Sequence, residues 1–271
     1  MSEGRRSLKD RMHLAVLSER IDVAGPEVAI FRFRPVDGEL FSFTAGQYAT
    51  LGLDAGGEFV PRAYSIASSP YVRDHLEFYI NVIKDGQLTP SIFHLHIGDH
   101  IHYMGPKGIF TLAKSQAPHL LLIATGTGLA PYVSMLRTMH AEELAGRPHG
   151  RKVTLVHGVR HTADLGYRWE LDGLAREAGF GLTYVPMVSR HENDPFWTPE
   201  VGRGRVTELL KLLGDGDPAT LPSSIGAEAL RDGLPPGDTA AYLCGNPDMI
   251  ADAKALLAER GYAEVLTEEY W

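Results

Sequence analysis

The stretch "IATGTGLAPYVSML" (residues 123–136) runs an apolar strand pattern into Gly126, Thr127 and Gly128, then into a helix pattern with Pro131 near its first turn. Bare backbone amides and the positive end of a helix meet at such a junction, which suits a pyrophosphate. The spacing is G-x-G-x-x-P rather than G-x-G-x-x-G, so the same residues also fit a tight strand-to-helix turn with no ligand. Arginines recur at comparable places. "HGVR" ends on Arg160, "MVSR" on Ser189 and Arg190, and "GRGRV" carries Arg203 and Arg205. A guanidinium offers a rigid fork of donors to phosphate. The alternative for any one of them is a solvated loop arginine, but their shared place at strand ends favours an anion. "YLCGNPDM" puts Cys244 and Gly245 at one further strand end.

A second group lies earlier, in "FVPRAYSIASSP" (residues 59–70). Alternation along a strand sends Arg62 and Tyr64 to one face, where a charge and a flat ring can hold a phosphate and an aromatic ligand together. By itself this is an ordinary strand. The nearby "LTPSIFHL" adds Leu88, Thr89 and a helix predicted to start at Pro90 with Thr89 as its cap, a second source of amide donors. The histidines His94, His96, His100 and His102 do not make a metal site on this reading. His94 and His96 fall in the predicted helix, where i and i+2 diverge, and no metal-ligand motif occurs elsewhere. The lone Cys244 excludes an internal disulfide and a four-cysteine zinc or iron–sulfur site, and no motif gives it a partner histidine for nucleophilic chemistry.

Two kinds of scaffold must position these residues. Up to about Leu112, short segments rich in Ile, Val, Phe and Tyr ("EVAIFRFRP", "AGQYATLGL", "RAYSIASS", "LEFYINVI", "DHIHYMG") alternate with Gly- and Asp-rich turns, the pattern of an antiparallel barrel or sandwich. After "SQAP" the pattern becomes strand and helix in turn, with "HLLLIAT", "KVTLVHGV", "LTYVPMVS" and "TAAYLCG" as buried strands. The helices are read at "PYVSMLRTMHAEEL", "DLGYRWELDGLAREA", "VTELLKLL" and "PDMIADAKALLAERG", and "EVLTE" is a last short strand. The fold expected is therefore an antiparallel β-barrel or sandwich domain over residues 1–114 followed by a doubly wound α/β domain over 115–271, with residues 214–238 as a long loop. A net charge of −8 argues against nucleic acid as partner. No run approaches the roughly 20 apolar residues of a membrane span and the first residues lack a signal pattern, so a cytoplasmic protein is expected, with monomer as the expected state.

Taken together, "RAYS" (62–65), "DGQLTPSI" (85–92) with "GD" (98–99), "GPKGIF" (105–110), "ATGTGLAP" (124–131), "VHGVR" (156–160), "VSR" (188–190), "YLCGNPDM" (242–249) and the terminal "EEYW" resemble, in order, the ferredoxin (flavodoxin)–NADP reductases of the bacterial type. The resemblance implies a barrel that binds FAD, an α/β domain that binds NADP(H), and a flavin ring lying between them. Arg62 would bind an FAD phosphate with Ala63 beside it, Tyr64 would stack on the isoalloxazine, and Ser65 would hydrogen-bond near its N5. Gln87, Leu88 and Thr89 would hold the FAD pyrophosphate. Gly126 and Gly128 would serve NADP, Thr127 would lie beside flavin and nicotinamide, and Arg160, Ser189, Arg190, Arg205 and Asp248 would take the rest of NADP, chiefly its 2′-phosphate end. The resemblance further places Cys244 toward the nicotinamide. Trp271 would cover the flavin face opposite Tyr64 and move aside for hydride transfer, and Glu269 or Glu268 would assist proton movement. "TGTG" and "RGR" have close variants in the family, so Gly128 and Arg205 match it less firmly than "RAYS".

The activity implied is hydride transfer from NADPH to flavin, then single-electron transfer to ferredoxin or flavodoxin. An NAD(P)H:flavin reductase or an oxygenase reductase component uses the same two domains. A non-catalytic dinucleotide-binding electron-transfer subunit is the alternative of another class, and it would need cluster cysteines that the chain lacks.

Overall fold

A computed structural model describes residues 7–25, 27–214 and 216–269, and the chain divides into two units. The first runs to Thr111 and includes Ala130–Thr138, and the second holds Leu112–Leu129 and the residues from Met139 onward.

Six strands make the first unit: β1 (His13–Ala24), β2 (Val28–Pro35), β3 (Tyr48–Ala55), β4 (Glu58–Ser65), β5 (Leu76–Asn81) and β6 (His100–Lys107). They pair antiparallel in the order β4-β3-β6-β1-β2-β5. The two ends of that order meet, because Ile66, just past β4, bridges Phe78 of β5 and the Ala67 N–H donates to the Glu77 carbonyl at 2.8 Å. The sheet thus closes as a barrel, filled by Leu17, Phe31, Phe33, Leu51, Leu76 and Phe78, each contributing roughly 1.5–3 kcal/mol by burial.

Strand β1 is absent from the sequence pattern. Its apolar alternation stops after Leu17, where the register with β2 shifts, and Glu19, Arg20 and Asp22 follow. Arg20 is accommodated by tertiary contacts: its guanidinium lies over the rings of Phe31 and Phe93, and it donates to the Phe93 carbonyl at 2.7 Å. The helix between β5 and β6 is shorter than expected, α1 spanning only Thr89–Phe93.

One buried carboxylate organises this unit. Glu77, on β5, accepts from Arg32 Nε of β2 at 2.7 Å and from Arg137 Nη1 at 2.6 Å. Arg137 belongs to helix α2 (Ala130–Leu144) and also donates to the Ala67 carbonyl at 3.2 Å, while Ser134 of the same helix donates to the Ser68 carbonyl at 2.7 Å. Residues 67–69, directly after the Arg62–Ser65 strand, are therefore held by α2 side chains on one flank and by the backbone of Glu77 on the other.

The second unit is an open parallel sheet of β7 (His119–Thr125), β8 (Lys152–Val159), β9 (Leu182–Val188), β10 (Gly202–Arg203), β11 (Thr239–Gly245) and β12 (Glu264–Glu269), in the order β10-β9-β8-β7-β11-β12. The chain starts in the middle at β7, winds outward to β10 and returns to the other side at β11, as in a doubly wound fold. Helices α3 (Arg168–Arg176), α4 (Val206–Lys211), α5 (Ala227–Asp232) and α6 (Pro247–Glu259) accompany it. Leu209 and Leu210 of α4 and Ile250 and Leu257 of α6 share a core with Leu121, Ile123, Val156 and Val185 of the sheet.

Two differences from the sequence pattern appear here. Helix α3 begins only at Arg168, because Tyr167 takes a left-handed conformation (φ 60°) that ends the preceding turn. The stretch 214–238 is not all loop, since it contains α5 with Leu230 in the core. Among the described residues no helix is long and apolar enough to cross a membrane.

Candidate functional site

In the barrel, strand β4 carries Arg62, exposed, and Tyr64, half-buried, on the same face. Arg62 Nη2 donates to Gln87 Oε1 at 2.8 Å and Nη1 to the Pro61 carbonyl at 2.8 Å. The first bond ties the strand to a loop 25 residues away. A guanidinium has five donors, so three of its N–H groups remain without a protein partner among the described residues. Tyr64 packs on the barrel core, and burial pushes its phenol well above the ordinary range against the opposing charge of Arg62. It stays a neutral ring at working pH. Ala63 is exposed and Ser65 is buried.

The loop residues divide in function. Leu88 points its side chain into the barrel core, so only its backbone can meet a ligand. Thr89 does not cap α1 as expected. It is the helix's first residue, Leu88 is the cap position with no side-chain bond, and the Thr89 hydroxyl accepts the Ile83 N–H at 2.9 Å. That bond closes the loop instead. The nearby histidines are likewise engaged or separate: His94 bonds the Pro90 carbonyl and His102 stacks edge-on with Phe59. No group of three potential metal ligands occurs among the described residues.

In the parallel sheet, the carboxyl ends of neighbouring strands bring the distant arginines together. The Ser189 N–H donates to the Val159 carbonyl at 3.0 Å, Arg190 N–H to the Arg160 carbonyl at 3.0 Å, and Gly204 N–H to the Val188 carbonyl at 2.9 Å. Arg160, Arg190 and Arg205 thus stand at the ends of β8, β9 and β10, strands roughly 5 Å apart. Arg160 is held loosely to Asp164 at 3.9 Å, and Arg203 to Asp217 at 3.8 Å. The side chains of Arg190 and Arg205 have no partner among the described residues, although the Arg205 N–H donates to Glu208 at 2.7 Å. The Ser189 hydroxyl donates to the Val159 carbonyl at 3.2 Å and keeps its acceptor capacity.

Next to them, β7 ends in a 3-10 turn, Gly126–Leu129, leading into α2. Gly126 is left-handed (φ +54°) and half-buried, with open space where a side chain would stand. Gly128 differs. A Cβ there would lie 2.5 Å from the Cys244 carbonyl oxygen and 2.7 Å from Gly245 Cα, so its bareness serves the close approach of the turn to β11. The Thr125 hydroxyl accepts the Asn246 N–H at 2.9 Å, and Asn246 caps α6 through the Met249 N–H at 3.1 Å. Thr127 is half-buried on the turn and Asp248 exposed in the first turn of α6. Cys244, paired in register with Ala124 and Glu268, exposes no surface. Glu269 is exposed at the end of β12. Trp271 lies outside the described residues.

Three residues of this region escaped the sequence reading. Asp194 accepts N–H groups from Thr162 and from Phe196, joining the loops after β8 and β9 that carry Arg160 and Arg190. Burial alone would raise its carboxyl, but those bonds and His161 hold it below the usual value. The others are Thr125 and the fully buried His157, which bonds the Gly126 carbonyl at 3.1 Å. A histidine inside the apolar run "KVTLVHGV" was the available signal for the latter.

Residues 15–112 match the oxidoreductase FAD-binding domain family and residues 122–255 the oxidoreductase NAD-binding domain family. The chain is 33% identical over 242 residues to a ferredoxin–NADP reductase of Pseudomonas aeruginosa, covering 86% of this chain and 84% of that one. It is also 33% identical over 224 residues to a flavodoxin/ferredoxin–NADP reductase of Escherichia coli, covering 81% and 80%. A crystal structure of a ferredoxin NADP+ reductase from Neisseria gonorrhoeae, with bound FAD and NADP, superposes with a TM-score of 0.78 at 26% identity over 98% of this chain and 100% of that one. The residues present fit both groups: spare guanidinium donors and a neutral half-buried ring in the barrel, and unpartnered guanidinium side chains beside an open glycine turn in the sheet unit.

Proposed function

The chain belongs to the ferredoxin–NADP reductase family, and we propose that its own residues hold FAD in the barrel and NADPH on the parallel sheet, passing electrons on to ferredoxin or flavodoxin. The observation that carries this reading is the row of Arg160, Arg190 and Arg205 at successive strand ends beside the Gly126–Gly128 turn. A bound FAD supplies the chemistry that exchanges a hydride with NADPH and single electrons with a carrier.

On this reading Arg62 donates to an FAD phosphate from a position already fixed by Gln87, with the exposed Ala63 letting the ligand approach. Tyr64 offers its ring to the flavin, and Ser65 hydrogen-bonds near the reacting nitrogen. The backbone of Leu88 and Thr89 faces the FAD pyrophosphate, while the Thr89 hydroxyl keeps the loop closed. The amides around Gly126, Thr127 and Gly128 receive the NADP pyrophosphate. Arg160, Ser189, Arg190 and Arg205 select the 2′-phosphate, because bidentate charged hydrogen bonds are strong only when the anion is present. Asp248 contacts the rest of NADP, Cys244 supports the nicotinamide end, and Glu269 moves a proton. For Trp271, assigned a place at the flavin by resemblance alone, removal is expected to improve use of NADH. The protein works in the cytoplasm as a monomer.

Anaerobic mixing of the purified yellow protein with NADPH and, separately, NADH tests the reading. Rapid bleaching by NADPH and slow bleaching by NADH is the expected result. A colourless protein, or one that NADPH cannot bleach, would end it, and equal bleaching by NADH would remove the role of the arginines.

A further inference from the structure

His157 sits in the middle of the second unit with no exposed surface, on β8 between β7 and β9. Its Nε2 lies 3.1 Å from the Gly126 carbonyl oxygen and its Nδ1 3.4 Å from the Tyr184 hydroxyl. A carbonyl can only accept, so Nε2 carries the proton, Nδ1 accepts, and Tyr184 donates. This fixes one tautomer. Gly126 is left-handed and its peptide with Thr127 is trans, so turning the carbonyl inward onto His157 turns the Thr127 N–H the opposite way. Thr127 stands in the first turn of the Gly126–Leu129 segment, where amides have no partner within the segment. Burial also holds the imidazole far below its ordinary value, at about 4 against the opposing bond to Gly126, so it remains neutral in the physiological range.

We propose that His157 is a positioning residue for NADP(H): by holding the Gly126 carbonyl inward it keeps the Thr127 amide turned outward, toward the pyrophosphate of the dinucleotide. This rests on the reading that NADP(H) binds at these strand ends. Without the bond, the peptide can rotate its carbonyl outward and present a negative dipole to the phosphates. The arginines at β8, β9 and β10 do not depend on it, so the two ends of the ligand separate experimentally.

The test uses the FAD-loaded full chain, titrated with NADP+ and with adenosine 2′-monophosphate, which reaches only the arginine end. In His157→Leu, NADP+ affinity is expected to fall about tenfold, the worth of roughly one well-placed hydrogen bond, with adenosine 2′-monophosphate unchanged. In His157→Gln, whose amide can donate from nearly the same place, NADP+ affinity returns to near the wild-type value. Equal losses for both ligands, no loss for either, or no recovery with glutamine would overturn the proposal. Nitrogen chemical shifts of the wild-type imidazole give a readout that needs no variant, with protonated Nε2 and bare Nδ1 expected at neutral pH. The reverse tautomer would also overturn it. Failure of the wild type to bind either ligand would instead sink the reading of the site itself.

Discussion

An alanine at position 128 would bring its Cβ within 2.5 Å of the Cys244 carbonyl oxygen and 2.7 Å of Gly245 Cα, where ordinary contact begins near 3.4 Å. The obstructing atoms are backbone of a central strand and cannot swing away as a side-chain tip would. The turn after β7 must therefore retreat by about 0.9 Å, and overpacking of this kind costs typically 1–3 kcal/mol. A value of about 2 kcal/mol corresponds to a fall of roughly 4–8 °C in the melting temperature of a unit this size. Because the same turn carries the Thr127 amide, NADP+ affinity should fall with it. Position 126 is the control: its left-handed backbone is one that asparagine adopts readily, and no atom lies within 4 Å of the added Cβ. Gly126→Asn should melt within about 2 °C of the wild type, while Gly128→Asn should do no better than Gly128→Ala. Thermal melts by far-ultraviolet circular dichroism, with NADP+ titrations alongside, measure both. A Gly128→Ala protein that melts and binds as the wild type does would refute the steric argument.

Other perturbations probe other parts of the molecule. His157 has a folded-state pKa of about 4 against 6.5 unfolded, so the unfolded chain takes up its proton first as pH falls; the resulting stability is complete above pH 6.5 and reduced by about 3 kcal/mol at pH 4. Urea unfolding at both pH values should show that slope in the wild type and lose it in His157→Gln; an unchanged slope would mean another group is responsible. Glu77→Ala leaves Arg137 facing a buried gap, with an expected loss of about 3 kcal/mol in denaturant midpoint experiments, at the lower end for broken buried pairs since both arginines reach solvent. A loss under about 1 kcal/mol would show that water replaces the carboxylate freely. Arg190→Ala should raise the KM for NADPH about 10- to 100-fold and leave that for NADH unaltered, as expected for a charged hydrogen bond made only to the 2′-phosphate; steady-state kinetics with both donors would expose a uniform effect.

The strands of the parallel sheet were legible because burial on both faces leaves runs dominated by apolar residues: β8 and β11 coincide with "KVTLVHGV" and "TAAYLCG" residue for residue. Arg160 and Arg190 were legible for a related reason, since each follows such a run within two residues, whereas Arg203 and Arg205 flank a glycine outside any such run. What stayed hidden depends on contacts between distant residues. The second half of β1 is charged and bulged, and the rings of Phe31 and Phe93, the Phe93 carbonyl and Asp22 make Arg20 compatible with the barrel. Thr89 has the composition of a cap, but Ile83 claims its hydroxyl. The two glycines of "GTG" look alike in sequence, whereas one supplies a left-handed backbone and the other clears space for β11. Asp194 gave no local sign of joining two loops, because its partner Thr162 lies 32 residues earlier.

The margins of the two sheets bear on how readily a further chain could pair with them. Exposed strand edges offer unpaired N–H and C=O groups to any other chain in solution, and a long, flat, apolar edge invites aggregation. Contact at Ile66 and Phe78 shortens that margin in the barrel, though among the described residues β4 and β5 are paired to each other at this point alone. The parallel sheet cannot close, but on one side it ends in β10, two residues long, too short to template another strand. On the other it ends in β12, where Glu264, Glu268 and Glu269 set like charges along the margin. A second molecule approaching the parallel sheet in register would face either too few backbone groups or mutual repulsion.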